Sequence, residues 1–501
     1  MNLEQARQEF ANIQKNISAL NYAIDLLTVD GETEAPPNSA ANRVSTFEIL
    51  NDELFDLKFG EKMVEVLECL KENANELSRV EIRSLEVLRR EADRMKCISQ
   101  DEYVKYQGLL ASTGNAWDKA SEEGDYELVR PYLEKIFDRN RDFAAAYDKD
   151  DDPYNYCLNT YEPGSSTAVY DAIFDDVKEN VVPLLKKIQE KPPIDDSCLQ
   201  GDYSAAKQKE LALYIMELMG VNMDNVGLST AEHPFIRRIG SHLDERMSTR
   251  YSRKNFTSSL YTILFGCGFV LAEYGQGDEV LYTLADGSAS VGIVQGQTRF
   301  YENIVGRSRQ FIEHIYPKLK SLFPTSIKEH SSEDLYLAVN KVEAGPIRVG
   351  SDEVTSNLHI LVRYELERAL MSKDLSFKDL PDAWADKYLE YLGVEVRNHK
   401  QGILQDITWA EGNIGYFPTA VIGTVYSALM LEKMKNDIDV DECGRKGDMT
   451  VINEWNREHI WRHMGLYDSD KVVEELLEGS PINGDAFIKY LNKKYSEIYR
   501  L

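Results

Sequence analysis

Eight histidines are the first residues to test for chemistry: His233, His242, His314, His330, His359, His399, His459 and His463. Only His459 and His463 stand four apart, which would put both imidazoles on one face of a helix at metal-binding spacing. The order there is Glu458-His459-Ile460-Trp461-Arg462-His463, not HExxH, and nothing identifies a carboxylate third ligand or buried acceptors behind the rings. Two incidental histidines at a surface helix terminus is the simpler account. The phosphate-cradling GxxxxGK[ST] loop, GxGxxG and the GxSxG elbow are all missing from the sequence. Four short blocks are richer in residues that cores seldom need: His233-Pro234-Phe235, Asp244-Glu245-Arg246, Ile347-Arg348-Val349-Gly350-Ser351-Asp352-Glu353 and Gly415-Tyr416-Phe417-Pro418-Thr419. The guanidinium fork of Arg348 suits a carboxylate, and Tyr416 can donate a hydrogen bond. Against that stands a purely structural role, with Arg246, Arg348 and Tyr416 held in buried pairs such as arginine with Asp244 or Asp352.

The chain that must position these blocks has 501 residues, 57 Lys and Arg against 85 Asp and Glu, and a formal net charge of −28. Its 43% hydrophobic and 28% charged residues are ordinary globular usage, which excludes whole-chain disorder. The length allows several domains or one enzyme-sized unit, able to hold a core without disulfide or metal. Strong acidity argues against a surface that reads nucleic-acid phosphates. Six cysteines (Cys69, Cys97, Cys157, Cys198, Cys267, Cys443) form no CxxC pair, a pattern of reduced cytosolic thiols. The opening MNLEQARQEF lacks a basic segment followed by an apolar one, so no signal peptide is expected. Two uncharged stretches, Phe256–Ala272 and Ile414–Leu431, carry Ser, Thr, Tyr and Gly, and the second holds Pro418. They suit buried core segments better than membrane spans. A cytoplasmic protein with no membrane or nucleic-acid partner is the expectation.

Helical periodicity dominates from Asn2 to Asp150, as in the run with apolar Val80, Ile82, Leu85, Val87 and Leu88. Pro36-Pro37 should break the first helical hairpin and Asp150-Asp151-Asp152-Pro153 the next group. Lys191-Pro192-Pro193-Ile194-Asp195-Asp196 is the best linker candidate, or else a helix–helix loop. Leu380-Pro381-Asp382-Ala383-Trp384 opens another helix with Pro381 in its first turn. Strand signals are confined to Arg246–Ser252 and Ala289–Val294. The expectation is a mainly α protein with a small β-sheet.

Taken in order, the blocks resemble those of the Taq-type (thermostable) metallocarboxypeptidases, zinc exopeptidases marked by HPF, DxRxT, HExxH, HE[SG]Q, [IV]RxxAD and GYFP. The resemblance covers nearly the whole chain. Leu27–Thr33 with Pro36-Pro37 is similar to the family's WDxxTxMP, Tyr161-Glu162-Pro163-Gly164 to YEPG, and Tyr301–Ser308 to WENxVGRS. Ala338–Glu343 and Asp352–His359 flank the arginine motif; Leu404-Gln405-Asp406 and Trp409 lead into GYFPT, and Tyr490–Tyr495 closes the chain. The resemblance implies one large helical unit over 1–501 with a small sheet beside a deep central groove. Residues 1–190 would form an N-terminal helical part and 200–501 the groove part with the motifs. It further implies a homodimer, peptide ligands with a free C-terminus, and a groove lined by Arg348, Tyr416, Arg246, Gln297 and His233.

The zinc motifs are where the resemblance departs. Phe265-Gly266-Cys267-Gly268-Phe269 stands on HExxH, so Phe265 and Phe269 occupy the histidine positions and Gly266 that of the general-base glutamate. Val294-Gln295-Gly296-Gln297 stands on HE[SG]Q, so Gln295 replaces the third ligand. Thr408 stands where the family usually has His in QDxHW, and Ala420 where a Tyr commonly follows GYFPT. Catalytic zinc takes three N, S or carboxylate ligands plus an open water position, and phenyl rings offer no lone pair. The leading expectation is therefore a pseudoenzyme without zinc or another cofactor that keeps a peptide-accepting groove. An active carboxypeptidase with a non-standard metal site and a purely structural homodimer are the two alternatives.

Overall fold

The computed structural model describes residues 1–501 apart from 97, 232, 233 and 289, with the side chains of 37, 96, 100 and 475 also left undescribed. The first helix, α1 (Leu3–Thr33), begins at a capping box: the Asn2 side chain accepts the Gln5 amide N–H at 2.9 Å, and the Gln5 side chain accepts that of Asn2 at 3.1 Å. Ala6, Phe10, Ile13 and Ile17 recur at helical spacing and are buried. The chain turns at Pro36-Pro37, as the sequence predicts, into α2 (Ala40–Phe59), which buries none of its residues. Then come α3 (Glu61–Glu72) and α4 (Arg79–Lys96). Met63, Val66, Leu70 and Leu88 meet the α1 stripe in a small core of their own.

A much larger core follows, drawing on residues from Ala120 to Tyr499. It is opened by α5 (Gln100–Glu123), α6 (Arg130–Tyr147), α7 (Pro153–Tyr161), α8 (Thr167–Gln189) and α9 (Ala205–Leu218). The break at Asp150–Pro153 ends one helix and starts the next: Asp152 caps α7 by accepting the Tyr154 N–H at 2.9 Å, with Pro153 in the first turn. Residues 191–196 form a loop between α8 and a short 3-10 turn, and the core continues on both sides of it.

One described sheet follows, ordered β1-β3-β2, with β1 (Val226–Thr230) parallel and β2 (Ile236–Ile239) antiparallel to β3 (Ser241–Thr249). The strand expected at Arg246–Ser252 is the end of β3. The one expected at Ala289–Val294 is a helix instead. Ser290 accepts the Ile293 N–H at 2.9 Å and caps a helix from Val291, while residue 289 lies outside the described residues. Local β-branched propensity yields there to a cap and to burial between helices.

The centre of the molecule is built from α10 (Thr257–Tyr274), α11 (Val291–Arg299), α12 (Arg309–Leu322), α13 (Ser332–Val339), α14 (Thr355–Ser372), α15 (Leu380–Leu392) and α16 (Pro418–Asp437), with further short helices leading to Asp485–Tyr499. The two uncharged stretches are α10 and α16, both largely buried. Among the described residues no helix is long and apolar enough to cross a membrane. Pro381 sits in the first turn of α15. The architecture is mainly α, with its small sheet against α10.

Glycines set the spacing of the central helices. A β-carbon on Gly268 of α10 would stand 2.6 Å from the Gln297 carbonyl oxygen and 2.8 Å from the Thr298 Cα of α11. On Gly423 of α16 it would stand 2.6 Å from the Gln295 Cβ. Backbone, which cannot swing aside, therefore meets backbone. We expect Gly268→Ala to lower the melting temperature by the equivalent of about 1–3 kcal/mol or more. Gly108→Ala on α5, where nothing lies within 4 Å, should raise it slightly. Parallel thermal melts measure both.

Beneath the sheet Glu245 is fully buried and neither carboxylate oxygen has a hydrogen-bond partner. Burial, reinforced by Glu273 and opposed by Arg238, holds its carboxyl well above the usual range. A carboxyl neutral when folded but ionised when unfolded favours the folded state below its unfolded pKa, and this contribution is lost as pH rises through the folded value. Glu245→Gln should therefore raise the melting temperature by a few degrees at pH 8 and by much less at pH 4.5, as a pH series of melts would reveal.

Candidate functional site

A cavity of about 1650 Å³ runs between α4 and the central helices. Arg83 and Arg90 reach it from α4, Phe265 and Phe269 from α10, and Gln295 and Arg299 from α11. Arg348 and Tyr416 enter it from the loops before α14 and α16. Although the chain is strongly acidic, more cations than carboxylates line this space.

Phe265 and Phe269 lie one turn apart, so α10 presents both rings to the cavity, each half-buried. Gly266, Cys267 and Gly268 between them are fully packed on the other sides of the helix. A β-carbon on Gly266 would lie 2.2 Å from Met247 Cε, which β3 projects onto α10, so any longer side chain there requires Met247 to move. Of positions 265, 266, 269 and 295 only Gln295 offers a lone pair. Its Oε1 is buried and accepts no hydrogen bond. Among the described residues, no three His, Cys, Asp or Glu side chains gather at metal-holding distance.

Arg348 is anchored by its backbone, whose N–H donates to Gln405 Oε1 at 2.9 Å, and by its guanidinium face, 4.4 Å above the Phe417 ring. The guanidinium itself makes no hydrogen bond among the described residues, and its Nε is buried without a partner. Its nearest carboxylate is Asp406, 4.0 Å away, which Arg363 already holds. Asp352 is not its partner; that side chain accepts from the Val354 and Thr355 N–H groups, each at 2.9 Å. Burial, reinforced by Arg363 and partly offset by Asp406, lowers the Arg348 pKa to about 10, so the group stays cationic at neutral pH.

Tyr416 sits in a loop pinned by the buried Glu367. That carboxylate accepts from Tyr154 Oη at 2.6 Å, Trp409 Nε1 at 2.5 Å and the Gly415 N–H at 2.8 Å. Gly415 has φ +82°, and a β-carbon there would lie 3.0 Å from the Cys157 backbone, so glycine is required at this turn. The Tyr416 ring packs edge-on to Tyr161 at 5.5 Å, and its hydroxyl makes no hydrogen bond among the described residues. Arg348, Tyr416 and Gln295 thus bring unpartnered polar atoms to one cavity. Of these, Arg348 Nε and Gln295 Oε1 are buried without a partner, which is uncommon for buried polar groups.

Gln297 and Arg246, also expected at the groove, lie elsewhere. Gln297 is fully buried, accepting from Trp461 Nε1 at 2.8 Å and donating to Met430 Sδ at 2.9 Å, because it projects from the far side of α11. Arg246 does not line the cavity; it pairs with Asp244 at 2.5 and 2.8 Å. Strand alternation explains this, since Met247 faces α10 and Arg246 the opposite side. His233 lies outside the described residues. His459 stacks on Trp455 at 4.4 Å and His463 bonds the Glu458 carbonyl, so the pair builds no shared site. Arg299, outside all of the motifs, also lines the cavity; its guanidinium lies 5.4 Å from the Phe265 ring and donates to Glu302 at 2.7 Å. Its spacing of four from Gln295 was the available signal.

Comparisons with known proteins identify the family and the fold. A family model described as Carboxypeptidase Taq (M32) metallopeptidase matches residues 9–495. Carboxypeptidase 1 of Bacillus subtilis is 32% identical over 505 residues, covering 100% of both chains. The crystal structure of BsuCP superposes with a TM-score of 0.91 at 32% identity, covering 99% of this chain and 100% of that one. The Pyrococcus furiosus carboxypeptidase gives 0.93 at 30% identity, with 98% and 99% covered. By sequence along its whole length and by fold, the chain belongs to the Taq-type (M32) metallocarboxypeptidase family.

Proposed function

We propose that this protein is a non-catalytic member of its family that captures peptides by their free C-terminus. The observation that carries the reading is the Arg348 guanidinium, open to the cavity with no hydrogen bond and with its nearest carboxylate already held by another arginine. A peptide carboxylate matches that fork in charge and geometry. The Tyr416 hydroxyl can donate to the same group or to a neighbouring carbonyl.

The side chains at the family's metal positions do not fit a catalytic zinc. Two phenyl rings and a glycine supply no ligand, and the neutral Gln295 amide is a weak one. Without a metal a water keeps its pKa near about 15.7, and Gly266 offers no base to take its proton. Met247 against Gly266 further supports a site adapted to packing. The proposal also takes the protein to be a cytoplasmic homodimer, on the family likeness and on five described cysteines that are all free thiols.

Purified, tag-free protein should contain no stoichiometric zinc, cobalt or manganese, and should release no C-terminal residue with or without added divalent metal. An Arg348→Ala protein purified in parallel controls for contaminating peptidase. One metal per chain, together with turnover that disappears in the control, would mean that the family chemistry survives through an unanticipated donor set.

Peptide binding should fall in the micromolar to millimolar range, roughly 4–8 kcal/mol. Calorimetry with a peptide and its C-terminally amidated twin isolates the carboxylate. Amidation, or Arg348→Ala, should each cost about 1.5–3 kcal/mol. Equal affinity for the two peptides would make Arg348 structural, and binding of neither would favour a scaffold role.

A further inference from the structure

Phe265 and Phe269 are neither core nor ordinary surface. Each is half-buried, each faces the cavity, and α10 carries no charge between Phe256 and Ala272. Ile236 of β2 and Val294 of α11 extend the same wall. The cation nearest the rings is Arg299, 5.4 Å from Phe265; it donates to Glu302 at 2.7 Å, and Arg307 shares that carboxylate at 3.7 Å. Arg348 lines the same cavity. An apolar wall and a guanidinium whose nearest carboxylate is held by another arginine therefore line one cavity.

We propose that Phe265 and Phe269 form a side-chain subsite which selects, among peptides with a free C-terminus, those carrying an aromatic or large aliphatic residue at one of the last two positions. The inference rests on the carboxylate-binding reading above and names the ligand class it serves. Charge complementarity fixes the ligand's end at Arg348, and an extended chain advances about 3.3–3.6 Å per residue, so only residues next to the terminus remain near the wall. Half-exposed phenyl rings gain most from another apolar or aromatic group, which removes the water they still face. An acidic side chain would lose hydration against the two rings, whose nearest cation, Arg299, is already engaged by Glu302.

The test is calorimetry with the full-length protein and two peptide series, acetyl-Ala-Ala-X-Ala and acetyl-Ala-Ala-Ala-X, both with free carboxyl ends. X is Phe, Leu, Ala or Asp. In one of the series Phe and Leu should bind about tenfold more tightly than Ala, and Asp more weakly than Ala. Phe265→Ser and Phe269→Ser, each checked by thermal melt, should reduce the Phe preference to less than about threefold and leave the all-alanine peptide within about twofold. Phe265→Leu should retain the Leu preference, which keeps the test decisive if a serine variant folds poorly. Arg348→Ala should weaken every peptide by a similar factor and leave the ranking intact. If the all-alanine peptide binds as tightly as the Phe peptides in both series, the subsite is overturned while carboxylate capture stands. If amidated peptides bind as well as free ones, or none binds, both readings fall.

Discussion

Close backbone contact between α10, α11 and α16 is the constraint on which the rest of this structure depends. Gly268 lets α10 lie directly against the Gln297–Thr298 backbone, and Gly423 lets α16 lie against Gln295. Side-chain packing would hold such helices about 8–10 Å apart and tolerate small shifts. Contacts at 2.6–2.8 Å from a notional β-carbon leave no such slack. The relative placement of Phe265, Phe269, Gln295 and Arg299 follows, since all four project from α10 and α11. A cavity wall drawn from two helices keeps its shape only when the helices cannot slide.

Buried carboxylates do the corresponding work for the loops. Glu367 accepts from Tyr154, Trp409 and the Gly415 N–H, joining α14 and α7 to the segments that carry Trp409 and Tyr416. Glu353 accepts from Tyr490 at 2.9 Å, Lys494 at 2.7 Å and Tyr495 at 3.0 Å, fastening the last helix beside the arginine loop. Glu162 accepts from Ser290 at 2.7 Å and the Gly292 N–H at 2.9 Å, fixing the start of α11. Each such acid is fully or nearly fully buried, a state that is costly unless its oxygens are satisfied. Satisfied as they are, they convert loops into fixed geometry.

At the cavity, as at Glu245, buried polar atoms are left without a hydrogen bond. Arg348 Nε and Gln295 Oε1 are buried without a hydrogen-bond partner, and Tyr416 lines the same cavity. Asp406 comes close to Arg348 yet is engaged by Arg363. An excess of cations inside a chain of net charge −28 concentrates positive potential in one place. Two phenyl rings add apolar surface on the same wall. The combination suits the amphiphilic, singly negative ligand proposed above.

Much of this was legible in the sequence. Helical periodicity, the breaks at Pro36-Pro37 and Asp150–Pro153, and the motif order together determine a mainly α carboxypeptidase-family fold. These signals are local or are carried by residue identity. The chemistry at 265, 266, 269 and 295 is likewise readable, because whether a side chain has a lone pair does not depend on folding. Tertiary structure alone decided which of the singled-out residues share a surface. Arg246 and Gln297 sit within the right motifs but project from the far faces of β3 and α11, a matter of strand and helix phase relative to neighbours distant in sequence. Ala289–Val294 has the composition of a strand, yet a serine cap and burial between helices make Val291–Val294 helical. The availability of Arg348 was also beyond the sequence, since it depends on Asp406, 58 positions away, having been claimed by Arg363. Sequence determines what each side chain can do; only packing determines which partners reach it first.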